Sequence, residues 1–273
     1  MRNYIQYNAN QHNEVIIAIP ALGERKEMYA ALAKALPEVH IVAIDLPGHN
    51  GLLDNDFSFK TYTKNIKETM DALKIAKAHF VGNSIGAWII QNFYTNYRNL
   101  VKSLTLLDGG HYFHGQYHLD DEMEIKLPII ESYEDLQEAI NEEIKSMGIA
   151  TAEHRQYLYE YFIGNFVKEE NIYRHHSKEE AINYLAKAVD QHDYCIETET
   201  PLPVLLLLAD HQQDELLHRK LTNFHERQPT AKIIKVPNGF HFLPLTNPQE
   251  VAGWIRNTVL SGRNPQMDLK AST

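Results

Sequence analysis

Val81-Gly82-Asn83-Ser84-Ile85-Gly86-Ala87 sets a serine between two glycines, G-x-S-x-G, and the rest of the chain is read outward from it. The apolar run Ala78 to Val81 precedes it, and a helix-like stretch, Ala87 to Arg98, follows. A chain that passes from strand to helix through a single residue forces that residue into a strained backbone. A Cβ two positions to either side would collide with the turn, which is why glycines flank it. The serine hydroxyl then stands exposed above the sheet, with a helix N-terminus beneath it to favour developing negative charge. Eight serines and 13 glycines in 273 residues make a chance match roughly a one-in-fifty event. The flanking strand and helix therefore carry the reading as much as the motif does.

The length suits one large α/β domain, or a core with an insertion. A formal charge of −10 with no basic stripe argues against nucleic acid or an anionic membrane as partner. One cysteine, Cys195, excludes an internal disulfide framework and suits a reducing compartment. Met1 to Asn8 lack the apolar core of a signal peptide, and no aliphatic run is long enough to span a bilayer. The expectation is a soluble cytoplasmic protein acting on a small molecule, with room for a homodimer.

Short apolar runs recur along the chain. Val15 to Ile19, Val39 to Ile44, Ala78 to Val81, Leu104 to Leu107, Val204 to Leu208 and Lys232 to Val236 all read as strands. Their hydrophobicity is mostly continuous rather than alternating, which suits strands covered on both faces and hence a parallel sheet. Between them, Tyr29, Leu32, Ala33 and Leu36 share one helical face, and Tyr62, Ile66, Met70 and Leu73 another, with Ser58 as N-cap. This is the alternation of β-α-β units, a mostly parallel, doubly wound α/β sheet. The pattern breaks between Gly109 and Pro203, where no convincing strand is seen. Ser132 with Asp135 and Ser177 with Glu180 resemble capping pairs ahead of two apolar helical stripes. The organisation expected is a core of residues 1–109 and 201–260, a helical cap over 110–200, and a polar tail over 261–273.

A serine hydroxyl needs a base within hydrogen-bond reach, and that base benefits from a carboxylate that fixes its tautomer. The best base is His241, in Pro237-Asn238-Gly239-Phe240-His241-Phe242-Leu243, which follows the last strand at the sheet edge that also presents Ser84. His111, His114 and His118 read as pocket-lining side chains rather than a metal site, for want of a nearby acid or cysteine pattern. Trp88, Phe93 and Tyr97 read as core, Cys195 as inert, and Asp120-Asp121-Glu122 as a solvated turn.

With these residues the chain resembles the α/β-hydrolase family over roughly residues 14 to 110 and 200 to 260. Pro20-Ala21-Leu22 with Tyr29 takes the place of the family's His-Gly motif and downstream aromatic. Asp45-Leu46-Pro47-Gly48-His49 resembles its D-x-x-G-x-G loop, Gly82 to Gly86 its nucleophile elbow, and Pro237 to Val251 its terminal G-H-x-P region. Pro20-Ala21 replaces His-Gly, and Phe240 stands where a glycine usually precedes the histidine.

The resemblance implies an α/β-hydrolase fold with an inserted helical cap and an acid just beyond the strand Val204 to Leu208. There Ala209 and Gln212 occupy the glycine and acid positions, flanked by Asp210 and Asp214. Asp214 is preferred on order and reach, with Asp210 and Asp108 as alternatives. The resemblance also nominates the backbone N–H groups of Leu22 and Ile85 as oxyanion donors.

The expected function is a serine hydrolase that cleaves a carboxylic ester or related acyl compound through an acyl-enzyme on Ser84, using no metal or organic cofactor. The apolar, aromatic cap points to a small or medium hydrophobic group. A receptor built on the same scaffold without hydrolysis, or a lyase, lactonase or C–C hydrolase with the same triad, are the alternatives.

Overall fold

The computed structural model describes residues 3–9, 14–52, 54–112, 124–149, 151–191, 194, 196, 202–210 and 216–260. In chain order, the core opens with β1 (Tyr4–Tyr7), β2 (Val15–Ile19), α1 (Ala30–Ala35), β3 (His40–Ile44), α2 (Phe59–Ala72), β4 (Ala78–Asn83), α3 (Ile85–Asn96) and β5 (Val101–Leu107). The insertion holds β6 (Ile129–Ile130), α4 (Tyr133–Ser146), α5 (Ala152–Ile163), β7 (Phe166–Glu169), β8 (Ile172–His175) and α6 (Glu179–Gln191). The core resumes with β9 (Val204–Ala209), α7 (Leu217–Arg227), β10 (Lys232–Val236), α8 (Leu243–Thr246) and α9 (Pro248–Ile255). The tail expected over 261–273 lies outside the described residues.

The main sheet has seven strands in the order β1-β3-β2-β4-β5-β9-β10, parallel throughout except for β1, which pairs antiparallel with β3. Strands β4 and β9 are buried along their whole length, whereas the rim strands β1 and β10 are largely half-exposed. Alternate residues serve the two faces. Ile17, Ile19, Phe80, Leu104 and Leu206 pack with side chains of α2 and α3; Ile16, Ala18, Ile41, Val81 and Leu205 pack with α1 and α9. Each fully buried aliphatic contributes about 1.5–3 kcal/mol, so the central strands anchor the fold rather than the rim. Ser58 caps α2 through the Thr61 N–H, and Trp88 and Phe93 lie in the core with Tyr97 packed against it.

The insertion departs from the expectation of helices alone. β6, β8 and β7 form a three-stranded antiparallel sheet beside the helices of the insertion. Ser132 does cap α4, accepting from the Asp135 N–H. Ser177 does not pair with Glu180; its hydroxyl lies 3.3 Å from His176 Nδ1 and the helix begins at Glu179.

Polar contacts fasten the insertion to the core. Tyr161 Oη donates to Glu24 Oε2 at 2.6 Å and Asn165 Nδ2 donates to the same oxygen at 3.1 Å. Arg25 answers in the other direction, donating to Asn165 Oδ1 and to the Tyr161 carbonyl. Desolvation pushes the wholly buried Glu24 carboxyl above its ordinary value, and the two donated bonds only partly oppose it. The folded chain therefore holds this proton more tightly than the unfolded chain. Its contribution to stability is complete below the ordinary glutamate pKa and declines as pH rises through the folded value. Glu24→Gln should flatten that decline. Urea midpoints measured from about pH 4 to 8 should fall less steeply in the variant, and equal slopes would refute the assignment.

Candidate active site

Ser84 is the single residue between β4 and α3, with φ 52° and ψ −120°. A non-glycine residue held there stores about 1–3 kcal/mol of strain and persists only where its surroundings over-determine it. Three glycines supply that determination. A Cβ on Gly82 would lie 2.3 Å from the Gly86 carbonyl oxygen, and one on Gly86 would lie 2.4 Å from the Ile19 oxygen. A Cβ on Gly109 would sit 2.3 Å from the Ser84 oxygen. The Ser84 N–H donates to the Leu107 carbonyl at 2.8 Å, so the elbow is held between the carboxyl ends of β2 and β5.

Asp108 follows β5 directly, in a left-handed conformation with φ 45°. Its Oδ1 accepts the Ala209 N–H at 2.8 Å, and its Oδ2 lies 2.7 Å from His241 Nδ1. Burial opposes ionisation of this carboxyl, but the hydrogen bond and charge of His241, with the Ala209 N–H, hold it below the usual carboxylate range. A carboxylate at Nδ1 keeps the proton on that nitrogen and leaves Nε2 as the free acceptor of the ring. Asp214 lies outside the described residues. Asp210 forms an exposed pair with Lys235, at 3.7 Å. Of the three carboxylates considered, Asp108 is the one seen on the histidine. The sheet order explains its reach, because β5 lies between the strand that leads to Ser84 and β9.

The buried Asn83 side chain joins these parts. Its Nδ2 donates to the Leu107 carbonyl at 2.8 Å and to the His241 carbonyl at 2.9 Å. It ties the strand that carries Asp108 to the loop that carries the histidine.

The oxyanion candidates stand at the same edge. Ile85 is the first residue of α3, where a helix leaves its N–H groups without intrahelical partners. Leu22 is the second residue of a turn closed by the Glu24 N–H on the Ala21 carbonyl at 3.1 Å. Gly23 has φ 79°, which makes this a type II turn. The close approach at Gly86, 2.4 Å from Ile19 and 2.9 Å from Pro20 for an added Cβ, seats the start of α3 against the segment leading into that turn.

Gly109, Asn83 and His49 were not singled out by sequence reasoning. The Gly109-Gly110 pair directly after a strand-ending aspartate was a usable signal for the first; Asn83 gave none, and His49 lay within the Asp45–His49 loop with no role of its own assigned. His111 is buried beside Tyr112, while His114, His118 and Cys195 lie outside the described residues. Among the described residues no His, Cys, Asp or Glu group is arranged to hold a metal ion, and no helix is long and apolar enough to cross a membrane.

The sequence model of the alpha/beta hydrolase family matches residues 16–254. The chain belongs to this family. Solved structures agree in fold: an E-2-(acetamidomethylene)succinate hydrolase superposes with a TM-score of 0.74 at 15% identity, covering 94% of this chain and 98% of that one. An esterase from a marine microorganism gives 0.67 at 16% identity, covering 94% and 98%. A bromoperoxidase from Bacillus anthracis gives 0.68 at 14% identity, covering 94% of each chain. No curated protein matches the sequence. At these identities the neighbours speak to the fold alone.

The elbow makes a sharp prediction about stability. Gly86→Ala places a methyl group against backbone atoms that no rotamer change can clear, so it should cost about 1–3 kcal/mol or more in urea unfolding. A wild-type unfolding midpoint would show that the approach is looser than described.

Proposed function

We propose that this alpha/beta hydrolase cleaves a carboxylic ester or related acyl compound, with Ser84 as nucleophile, His241 as general base and Asp108 as the orienting acid. The observation that carries the proposal is the 2.7 Å contact between His241 Nδ1 and Asp108 Oδ2 at the sheet edge that bears the strained serine. His241 Nε2 takes the hydroxyl proton as Ser84 Oγ bonds to the acyl carbon. The N–H groups of Leu22 and Ile85 hold the resulting oxyanion, where one such donor is worth about 3 kcal/mol. Collapse breaks the bond to the alcohol oxygen, which leaves with the proton from His241. Water, deprotonated by the same imidazole, then releases the acid and restores Ser84.

Asp108 takes the role for which Asp214 was preferred, because the Nδ1 of His241 is already bonded to it. Phe242, next to the histidine, packs 6.2 Å ring to ring from the buried Phe162 on helix α5. The apolar and aromatic composition of the insertion is what favours an apolar acyl or alcohol group.

Ser84→Ala should abolish turnover of p-nitrophenyl butyrate and labelling by a fluorophosphonate, and retained turnover would refute the assignment. Asp108→Asn should lower kcat by about 10³–10⁴, as expected when the imidazole is left in the wrong tautomer. Asp214→Asn should stay close to wild type. The reverse order of effects would return the acid role to Asp214.

A further inference from the structure

We infer that His49 is a positioning residue for the oxyanion turn, its Nε2 holding the Leu22–Gly23 peptide in the type II geometry and so tying the turn that bears the Leu22 N–H to the loop 45–50. The inference rests on the hydrolase reading above and adds to it a residue that does not touch substrate.

The turn Ala21 to Glu24 is closed by one backbone bond, Glu24 N–H to the Ala21 carbonyl. In a trans peptide the C=O and N–H point in opposite directions, so fixing the Ala21 oxygen directs the Leu22 N–H away from it. The Leu22–Gly23 peptide carries a separate degree of freedom, the orientation of the turn's centre. With glycine at its third position, the turn can flip its central peptide between type I and type II at little steric cost. The Gly23 N–H lies on that peptide, and it donates to His49 Nε2 at 3.1 Å.

His49 is built to be an acceptor there. Its Nδ1 lies 3.1 Å from the Pro47 carbonyl, which can only accept, so the ring proton is on Nδ1 and Nε2 is bare. The side chain is fully buried, which leaves no bulk water to replace it.

The imidazole is itself held by the cap. The Lys178 N–H donates to the Gly48 carbonyl at 2.7 Å, and the Asn50 N–H donates to His176 Nδ1 at 2.8 Å. A Cβ on Gly48, at φ 76°, would lie 2.6 Å from the Ala181 Cβ, so glycine lets the loop seat against α6. On the core side, Asp45 accepts from Asn50 Nδ2 and from the Lys26 N–H. The segment 45–50 is thus clamped between cap and core, and His49 passes that placement on to the turn.

Two variants separate the hydrogen bond from the bulk of the ring. His49→Gln keeps an acceptor at the ε position. His49→Asn keeps a donor for the Pro47 carbonyl but falls short of Gly23. In the full chain, His49→Asn should lower kcat for p-nitrophenyl butyrate by about tenfold to a hundredfold at unchanged KM. It should slow fluorophosphonate labelling in parallel and speed hydrogen exchange at the Gly23 amide. His49→Gln should recover most of all three. A kcat within about twofold of wild type in a folded His49→Asn protein would overturn the inference, as would equal losses in both variants. If wild type neither hydrolyses esters nor labels, the hydrolase reading fails by itself. Gly23 exchange then still judges His49, and wild-type protection in His49→Asn would overturn its role.

Discussion

Everything at the carboxyl edge of the sheet depends on how closely three backbone segments approach one another. Gly82, Gly86 and Gly109 each sit where an added Cβ would come within 2.4 Å of a backbone oxygen. Those approaches bring the end of β2, the elbow after β4 and the end of β5 into one contact. The strained φ of Ser84 is then a consequence of packing rather than a local preference, since a serine alone would relax into an ordinary region. The candidate nucleophile, the carboxylate at Asp108 and the donors at Leu22 and Ile85 all inherit their positions from this contact. The Tyr29 hydroxyl, bonded to the Ile19 carbonyl at 2.6 Å, satisfies the oxygen that a Cβ at Gly86 would strike.

Charge is distributed to suit this arrangement. Asp108 is held below the usual carboxylate range, so a negative charge stands behind His241 at neutral pH. The junction between insertion and core, by contrast, is polar yet uncharged at its histidines. Burial pushes His49 and His175 down to about 4 and His176 to about 2, so all three rings are neutral at physiological pH. Neutral imidazoles can accept backbone N–H bonds from Gly23 and Asn50; protonated ones could not. The insertion is therefore seated by hydrogen bonds whose direction depends on the absence of charge, next to the turn at Leu22 and Gly23.

Much of this was legible in the sequence, for identifiable reasons. Runs such as Val204 to Leu208 announce a strand covered on both faces because every side chain is buried there. The elbow is legible because two of its three glycines fall within five residues. The identity of the acid was not. Choosing between Asp108 and Asp214 needs the reach of the His241 loop across the sheet, and chain order does not carry that distance. The cap sheet was hidden for a different reason. Its strands are only two to four residues long, too short for an alternating pattern to show, and the β7–β8 turn uses Glu170 at φ 54°, where a glycine would have marked a hairpin. The roles of Asn83 and His49 were invisible because their partners, the carbonyl of His241 and the N–H of Gly23, lie 158 and 26 residues away.

A serine–histidine–glutamate set at the opposite edge of the same two strands shows what the elbow adds. Ser103 Oγ lies 2.7 Å from His79 Nδ1, and His79 Nε2 lies 3.0 Å from Glu14 Oε2. Residue types and distances alone would nominate this as a triad. Ser103, however, sits within β5, is 1% exposed and pairs in register with His79 across the sheet. Its burial closes the hydroxyl to an acyl group, and Glu14 is shared with Lys102 at 2.6 Å. A hydroxyl satisfied in a regular strand is a core hydrogen bond. The same hydroxyl lifted one residue beyond a strand, by glycines that allow no other path, leaves the strand's hydrogen-bonded register. The difference between the two ends of β4 and β5 therefore lies in the backbone and in access, and not in which side chains meet.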